Sequence, residues 1–363
     1  MTGRLMTARS DDRPPVAGEL PPRRRWYGPV AVAVLLLLAA MVTGIGVGAL
    51  TFAPLRVAAT LFDQLPGVEV SGGLGPVDTA ILLDIRLPRV VLAALVGGLL
   101  ASAGAAYQGV FRNPLVDPYL LGAAAGAGLA ATLVIVSVPA GGLGPFGPLP
   151  LAAFAGALGG VGLAYTLGRT AAQAGGGPAA LVLAGVAVAS FLTAAQTFVL
   201  QSNSDSLQLV YSFILGRLGG ADWQDVLLVL PYAALSVVVL QLAAHRLDVL
   251  ALGDDEAATL GIRPERLRLA VLAAASLATA AAVAVSGLIG FVGLVVPHIA
   301  RRLVGGGHAV LLPVCLLGGG AFLVLADVVA RSAMAPAELP LGVVTAFVGA
   351  PFFAVLLARG DRG

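Results

Sequence analysis

Ten apolar stretches, each close to the length a lipid bilayer demands, leave this chain little freedom. A helix crossing the hydrocarbon core needs about 20 predominantly apolar residues. Runs of that kind fall at 30–52, 90–109, 119–138, 149–167, 179–200, 226–244, 267–288, 291–304, 309–329 and 341–358. The eighth is short and holds Pro297. Only 11% of the 363 residues are charged and 58% are hydrophobic, whereas a soluble domain carries roughly 25% charge. The expected fold class is therefore an all-α polytopic membrane protein of about ten transmembrane helices. The 48 Gly suit helices whose backbones must approach closely in lipid.

Charge placement orients the helices. All 21 basic residues are Arg. With ten spans and the N-terminus inside, sixteen of them fall on the cytoplasmic side. The outer side keeps five: Arg56, Arg86, Arg89, Arg217 and Arg331. This bias obeys the positive-inside rule, and omitting the eighth span would weaken it by moving Arg359 and Arg362 outside. Residues 1–25 read as a disordered cytoplasmic tail, and residues 26–363 as one transmembrane unit. The first apolar run is longer than the 7–15 residues of a signal-peptide core, so it is read as an uncleaved span.

Several chemistries are excluded or disfavoured. A Walker A loop needs a Lys and the chain has none, so it is not itself a standard ATPase. The single Cys315 cannot form an internal disulfide, and His245, His298 and His308 are not at metal-ligand spacing. No cofactor, metal site, catalytic residue or nucleic-acid partner is expected. Intramembrane charge is costly and usually functional; Asp327 lies inside a clear span, with Arg331 placed to pair with it at i+4. No deeper acidic relay is seen, which counts against a stand-alone secondary transporter, the alternative reading.

Two segments invite function. Ser190, Thr193, Gln196 and Thr197 recur at helical steps in the fifth span, so they either join helices or line a wet passage. The inner loop, 245–266, holds Asp254, Asp255 and Glu256 ahead of Leu260-Gly261. This predicts a two-turn helix with Asp254 as N-cap, ended by Gly261 and Pro264. Its apolar Ala257, Leu260 and Ile262 are expected to face the cytosol, as a docking plug or as a plain connector. Outside, residues 204–218 are amphipathic enough to lie on the membrane surface.

Together, Arg86-Leu-Pro-Arg89, the stretch from Gln108-Gly-Val-Phe-Arg-Asn-Pro to Gly122, Leu181-Val-Leu-Ala-Gly-Val186, and Leu252-Gly-Asp-Asp255 through Gly261 carry a resemblance. So do Gly287-Leu-Ile-Gly-Phe-Val-Gly through Arg301, Ala326-Asp-Val-Val-Ala-Arg331, Ala335 to Gly342, and Gly349-Ala-Pro-Phe-Phe353. Over about residues 85–358 the chain resembles the FecCD-type permease subunits of ATP-binding-cassette (ABC) importers for iron–siderophore, haem and cobalamin. The first 80 residues match only in hydropathy.

The resemblance implies a type II importer permease fold that dimerises with itself or with a related chain. It also implies a cytoplasmic ABC ATPase dimer that hydrolyses the ATP, and an extracytoplasmic substrate-binding protein. Ser190, Thr193 and Gln196 are then expected on the translocation path. Asp254, Asp255, Glu256, Leu260 and Gly261 become the ATPase-coupling element, and Arg86, Arg89 and Arg331 the docking residues for the binding protein. Residues 175–178 are a candidate gating hinge. The implied location is the inner (cytoplasmic) membrane with both termini cytoplasmic, and siderophore iron is the first-ranked cargo.

Overall fold

The computed structural model describes residues 27–48, 51–64, 74–138, 147–171 and 179–358. The expected tail (1–25), the candidate hinge (175–178), Arg359 and Arg362 lie outside these. The described residues form helices and connecting turns, with no β-sheet among them. In chain order the helices are α1 (Tyr27–Gly46), α2 (Pro54–Asp63), α3 (Pro76–Ala80), α4 (Leu87–Phe111), α5 (Ala123–Ser137), α6 (Pro148–Ala171) and α7 (Ala179–Gln201). Then follow α8 (Leu207–Ile214), α9 (Trp223–Leu250), α10 (Asp254–Thr259), α11 (Pro264–Ser286), α12 (Val292–Val304), α13 (His308–Ser332) and α14 (Leu341–Ala358).

Each of the ten apolar runs carries one helix. Seven helical segments are long and apolar enough to cross a membrane, while α5, α12 and α14 occupy the third, eighth and tenth places. At 13 residues α12 extends only about 20 Å. The non-helical segment Gly287–Gly290 precedes it and is held by protein backbone: Leu288 N–H donates to the Phe213 carbonyl. Irregular backbone survives at membrane depth only with such partners.

The centre of the molecule is α4, which packs most extensively against α13, and next against α11, α12 and α9. A second group, α5, α6 and α7, packs alongside. Glycine pairs set the closest approaches. A Cβ on Gly97 would fall on the Gly319 carbonyl of α13, and one on Gly104 would fall on the Gly293 carbonyl of α12. Across α5 and α6, Gly126 and Gly156 bear the same relation.

Prolines inside helices remove an amide and orphan the carbonyl four residues earlier. In lipid that carbonyl needs a protein donor, and here two glutamines supply one. Pro297 in α12 frees the Gly293 carbonyl, which accepts from Gln108 Nε2 at 3.0 Å. Pro313 in α13 frees the Ala309 carbonyl, which accepts from Gln241 Nε2 at 3.2 Å. Proline thus stays inside a span without leaving a bare backbone group.

Three segments depart from the sequence expectation. The Arg86-Leu-Pro-Arg89 motif stands on a continuous helix, Pro76–Phe111, not in a long outer loop. A π-helical turn, Ile81–Arg86, joins α3 to α4, with Leu87 N–H bonding five residues back to Leu82. The sixth span runs on to Leu250, so the inner connection is shorter than 245–266. Its charged end is useful there, since Asp248 caps α13 by accepting the His308 backbone N–H at 2.9 Å. Segment 204–218 does form a short helix, α8, which tucks Val210 and Phe213 inward against α5.

Candidate functional site

The structure sorts the predicted residues into two clusters at opposite ends of α4. Arg86 and Arg89 sit at its start and Arg112 caps its end. The 23 residues between Arg89 and Arg112 correspond to about 35 Å of helix.

At the outer end Arg89 is the hub. Its Nε and Nη2 grip buried Asp327 at 3.1 and 2.8 Å, while Nη1 and Nη2 bind Glu338 at 2.8 and 2.9 Å. Bidentate pairing of this kind is the strong form of an ion pair. Asp327 is 1% exposed and Glu338 45% exposed by side chain, so one face of the hub is sealed and the other open. The expected Arg331–Asp327 pair is present at 3.5 Å, but Arg89 is the principal partner; Arg331 Nη2 donates instead to the Gly44 carbonyl of α1.

Arg86 is buried. Its Nη1 donates to the Ile45 and Gly46 carbonyls at 2.8 and 3.3 Å, and its guanidinium lies 4.8 Å from the Phe52 ring centre. All three arginines assigned to docking therefore use their charge to tie α4, α13 and the end of α1 together. Glu338 was missed in the sequence because its partner is 249 positions away.

At the inner end, α10 is six residues long. Asp254 is not its N-cap: Gly253 holds that position with φ of +148°, a conformation in which glycine is at home. The carboxylate of Asp254 is drawn elsewhere, onto Arg268 Nη1 and Nη2 at 2.8 and 2.6 Å and onto Arg112 Nη2. The hydrogen bond from Arg268, then the charges of both guanidiniums, hold this carboxyl below its ordinary range. Arg112 also donates through Nε to the Leu250 carbonyl at 3.0 Å. One aspartate thus fastens α10 to the ends of α4, α9 and α11.

The far end of α10 closes as expected at Gly261, whose φ of +80° completes a Schellman turn: Ile262 N–H to the Ala257 carbonyl, Gly261 N–H to Ala258. Pro264 does not end α10; it opens α11. The apolar face is also redistributed. Ala257 is fully buried and Ile262 packs on the core, whereas Leu252 and Leu260 are 68% and 64% exposed. Asp255 and Glu256 face solvent beside them. Arg112 and Arg268 went unassigned in the sequence, since no local pattern links them to Asp254.

The polar residues of α7 divide. Gln196 is buried and donates to Thr132 Oγ1 on α5 at 2.9 Å, which joins the two helices. Ser190 and Thr193 are exposed on a helix that also presents Leu183, Phe191 and Phe198 outward.

A helical membrane body with a rigid ionic knot at one end and a short external helix at the other defines a class, the polytopic transport permeases. Comparison with known proteins makes it specific. The model of the FecCD transport family matches residues 35–359, and the chain belongs to that family. A Bacillus subtilis protein described as an uncharacterized ABC transporter permease, YvrB, is 39% identical over 94% of this chain and 96% of its own length. The cobalamin import system permease BtuC of Halobacterium salinarum is 41% identical, covering 91% and 94% of the two chains. Among solved structures, a metal-chelate type ABC transporter in an inward-facing conformation superposes with a TM-score of 0.77 at 30% identity, covering 91% of this chain and 98% of that one. The protein is thus a multi-pass ABC-transporter permease, a transport subunit and not itself an enzyme.

Proposed function

We propose that this chain is the membrane pathway of an ABC importer that carries an iron chelate inward, with siderophore iron ahead of haem or cobalamin. In this reading two permease chains pair in the cytoplasmic membrane with their termini inside. A binding protein delivers the chelate at the Arg89 end, and a separate ATPase dimer drives the Arg112 end. The iron crosses inside its chelate as cargo, and the exposed Ser190 and Thr193 of α7 line its path, with Gln196 holding that helix to α5.

The observation that carries the reading is α10. A helix this short is kept folded by an ion triad at its base and a glycine turn at its tip, yet Leu252 and Leu260 are left outside the molecule. Exposed apolar side chains beside fixed carboxylates are what a groove on a partner recognises. The triad then transmits a push on α10 directly to α4.

Docking at the other end follows from the openness of Glu338. A carboxylate from the binding protein competes with Glu338 for Arg89, while Asp327 keeps Arg89 in place and Arg86 and Arg331 brace the helix ends behind it.

Reconstitution with the neighbouring ATPase and binding protein tests the proposal. Chelate uptake should require both partners and ATP, and reversing Arg86 and Arg89 to Glu should abolish stimulation by the binding protein. Uptake that persists without the ATPase overturns the importer reading.

A further inference from the structure

The inner ends of α9 and α11 enclose an open groove of about 480 Å³ that the transport reading does not use. Its mouth carries Arg246, Arg263 and Arg266, and its wall is apolar, with Val239, Leu242 and Leu267 among the lining residues. All three guanidiniums are exposed. Among the described residues none of them is ion-paired, whereas Arg268 and Arg112 nearby are both claimed by Asp254. Leu242 is 74% exposed on a membrane-crossing helix. From Arg246 back to Val239 is two turns, about 10 Å along the axis, so the apolar wall reaches hydrocarbon depth while the charges stay at the interface.

We infer that this groove is a binding site for an anionic phospholipid of the phosphatidylglycerol–cardiolipin class. The three guanidiniums take the phosphate, for which their planar donor arrays are suited, and the acyl chains lie along Val239, Leu242 and Leu267. Basic pockets between transmembrane helices at this depth favour such head groups. The two-part character of the groove selects the occupant. A soluble protein can reach the arginines but not the wall two turns below, and an isologous contact with a second copy would set three guanidiniums against three. A zwitterionic lipid brings its own cation to a site that already holds three.

The inference rests on membrane insertion alone, so its failure leaves the importer reading untouched. The full-length chain in nonionic detergent, mixed with equal amounts of phosphatidylglycerol and phosphatidylcholine, is read by native mass spectrometry. The anionic lipid should dominate the bound peaks. The triple variant R246Q/R263Q/R266Q should bind it at least about tenfold less, at roughly one kcal/mol of attraction per arginine. A triple Lys variant should keep most of the preference, because its charge is unchanged, and this separates binding from misfolding. R56Q/R217Q, at the opposite end, should behave as wild type. Equal binding of the two lipids by wild type overturns the inference, as does full anionic binding by the Gln variant. So does a Gln variant that keeps its lipid but no longer co-purifies with the ATPase, which would assign the groove to that partner.

Discussion

The two ends of α4 are built from the same residue types and are used in opposite ways. At the outer end Arg89, Asp327 and Arg331 are nearly sealed from solvent, with side-chain exposures of 12%, 1% and 8%. At the inner end Arg112, Asp254 and Arg268 are 37%, 45% and 30% exposed. Breaking a buried ion pair strands a charge and costs about 3–5 kcal/mol, whereas an exposed pair is worth roughly 0–1 kcal/mol. The outer knot therefore fixes where α4, α13 and α1 meet. The inner triad holds α10 just firmly enough to keep it folded and leaves it free to move with a partner. Rigidity sits where a load is received, and adjustability where it is applied.

Removing the buried acid is the strongest way to break this contrast. Asp327→Ala leaves Arg89 and Arg331 without their sealed counter-ion and should destabilise the protein by about 3–5 kcal/mol. This is measured as lost folded yield and a lowered unfolding temperature in detergent. A loss below about 1 kcal/mol would mean that water already reaches the knot and that the two ends do not differ.

Gln108 comes next, because it is the buried part of the inner end. It is 2% exposed and serves the carbonyl orphaned by Pro297, with Arg301 Nη2 3.4 Å from its Oε1. Gln108→Leu keeps the volume but leaves the Gly293 carbonyl bare, which should cost about 1–3 kcal/mol. Adding Pro297→Ala to it restores an amide to that carbonyl and should recover stability; no recovery would detach the glutamine from the proline.

Asp254→Ala should change stability by no more than about 1 kcal/mol, yet it frees α10 from α4. Co-purification with the ATPase should survive through Leu252 and Leu260, while ATP-driven uptake falls at least about tenfold. Leu260→Asp should do the reverse and abolish co-purification with little effect on folding. If both variants act alike, fastening and docking are not separable.

Much of this was legible in the sequence, and what was not has a physical reason. Hydropathy located all ten helical runs, including the short α12, because the bilayer imposes one length on every span. The glycine turn at Gly261 was legible because it is local: C′ glycine and its two hydrogen bonds lie within six residues. The cap was misread because Asp254 has a better offer from Arg268 and Arg112, one of them 142 positions away. Arg86 and Arg89 were assigned to the right end of the molecule, but their carbonyl and carboxylate partners on α1, α13 and the segment before α14 have no signature in composition. Even Gln196, on the same helical face as Ser190 and Thr193 by spacing, turns inward only because Thr132 of α5 waits there.

The gentlest probe of the contrast is acid. Asp254 and Glu338 each lie outside the spans, and each is held below its ordinary value, 3.8 and 4.5, first by an arginine hydrogen bond: from Arg268 inside, from Arg89 outside. A depressed folded pKa contributes stability that is complete above the unfolded value and is lost as pH falls through the folded one. Unfolding temperatures in detergent should therefore be insensitive to these two groups between pH 7 and about 5, the interval above both ordinary values. Below about pH 4 the Asp254→Ala and wild-type curves should converge as the aspartate takes up its proton. The Asp327→Ala deficit should meanwhile persist, because protonating the exposed Glu338 does nothing for the arginines buried against position 327. Convergence of both variants with wild type over the same pH range would show that the outer knot is as open to solvent as the inner triad, and the functional division drawn along α4 would have to be given up.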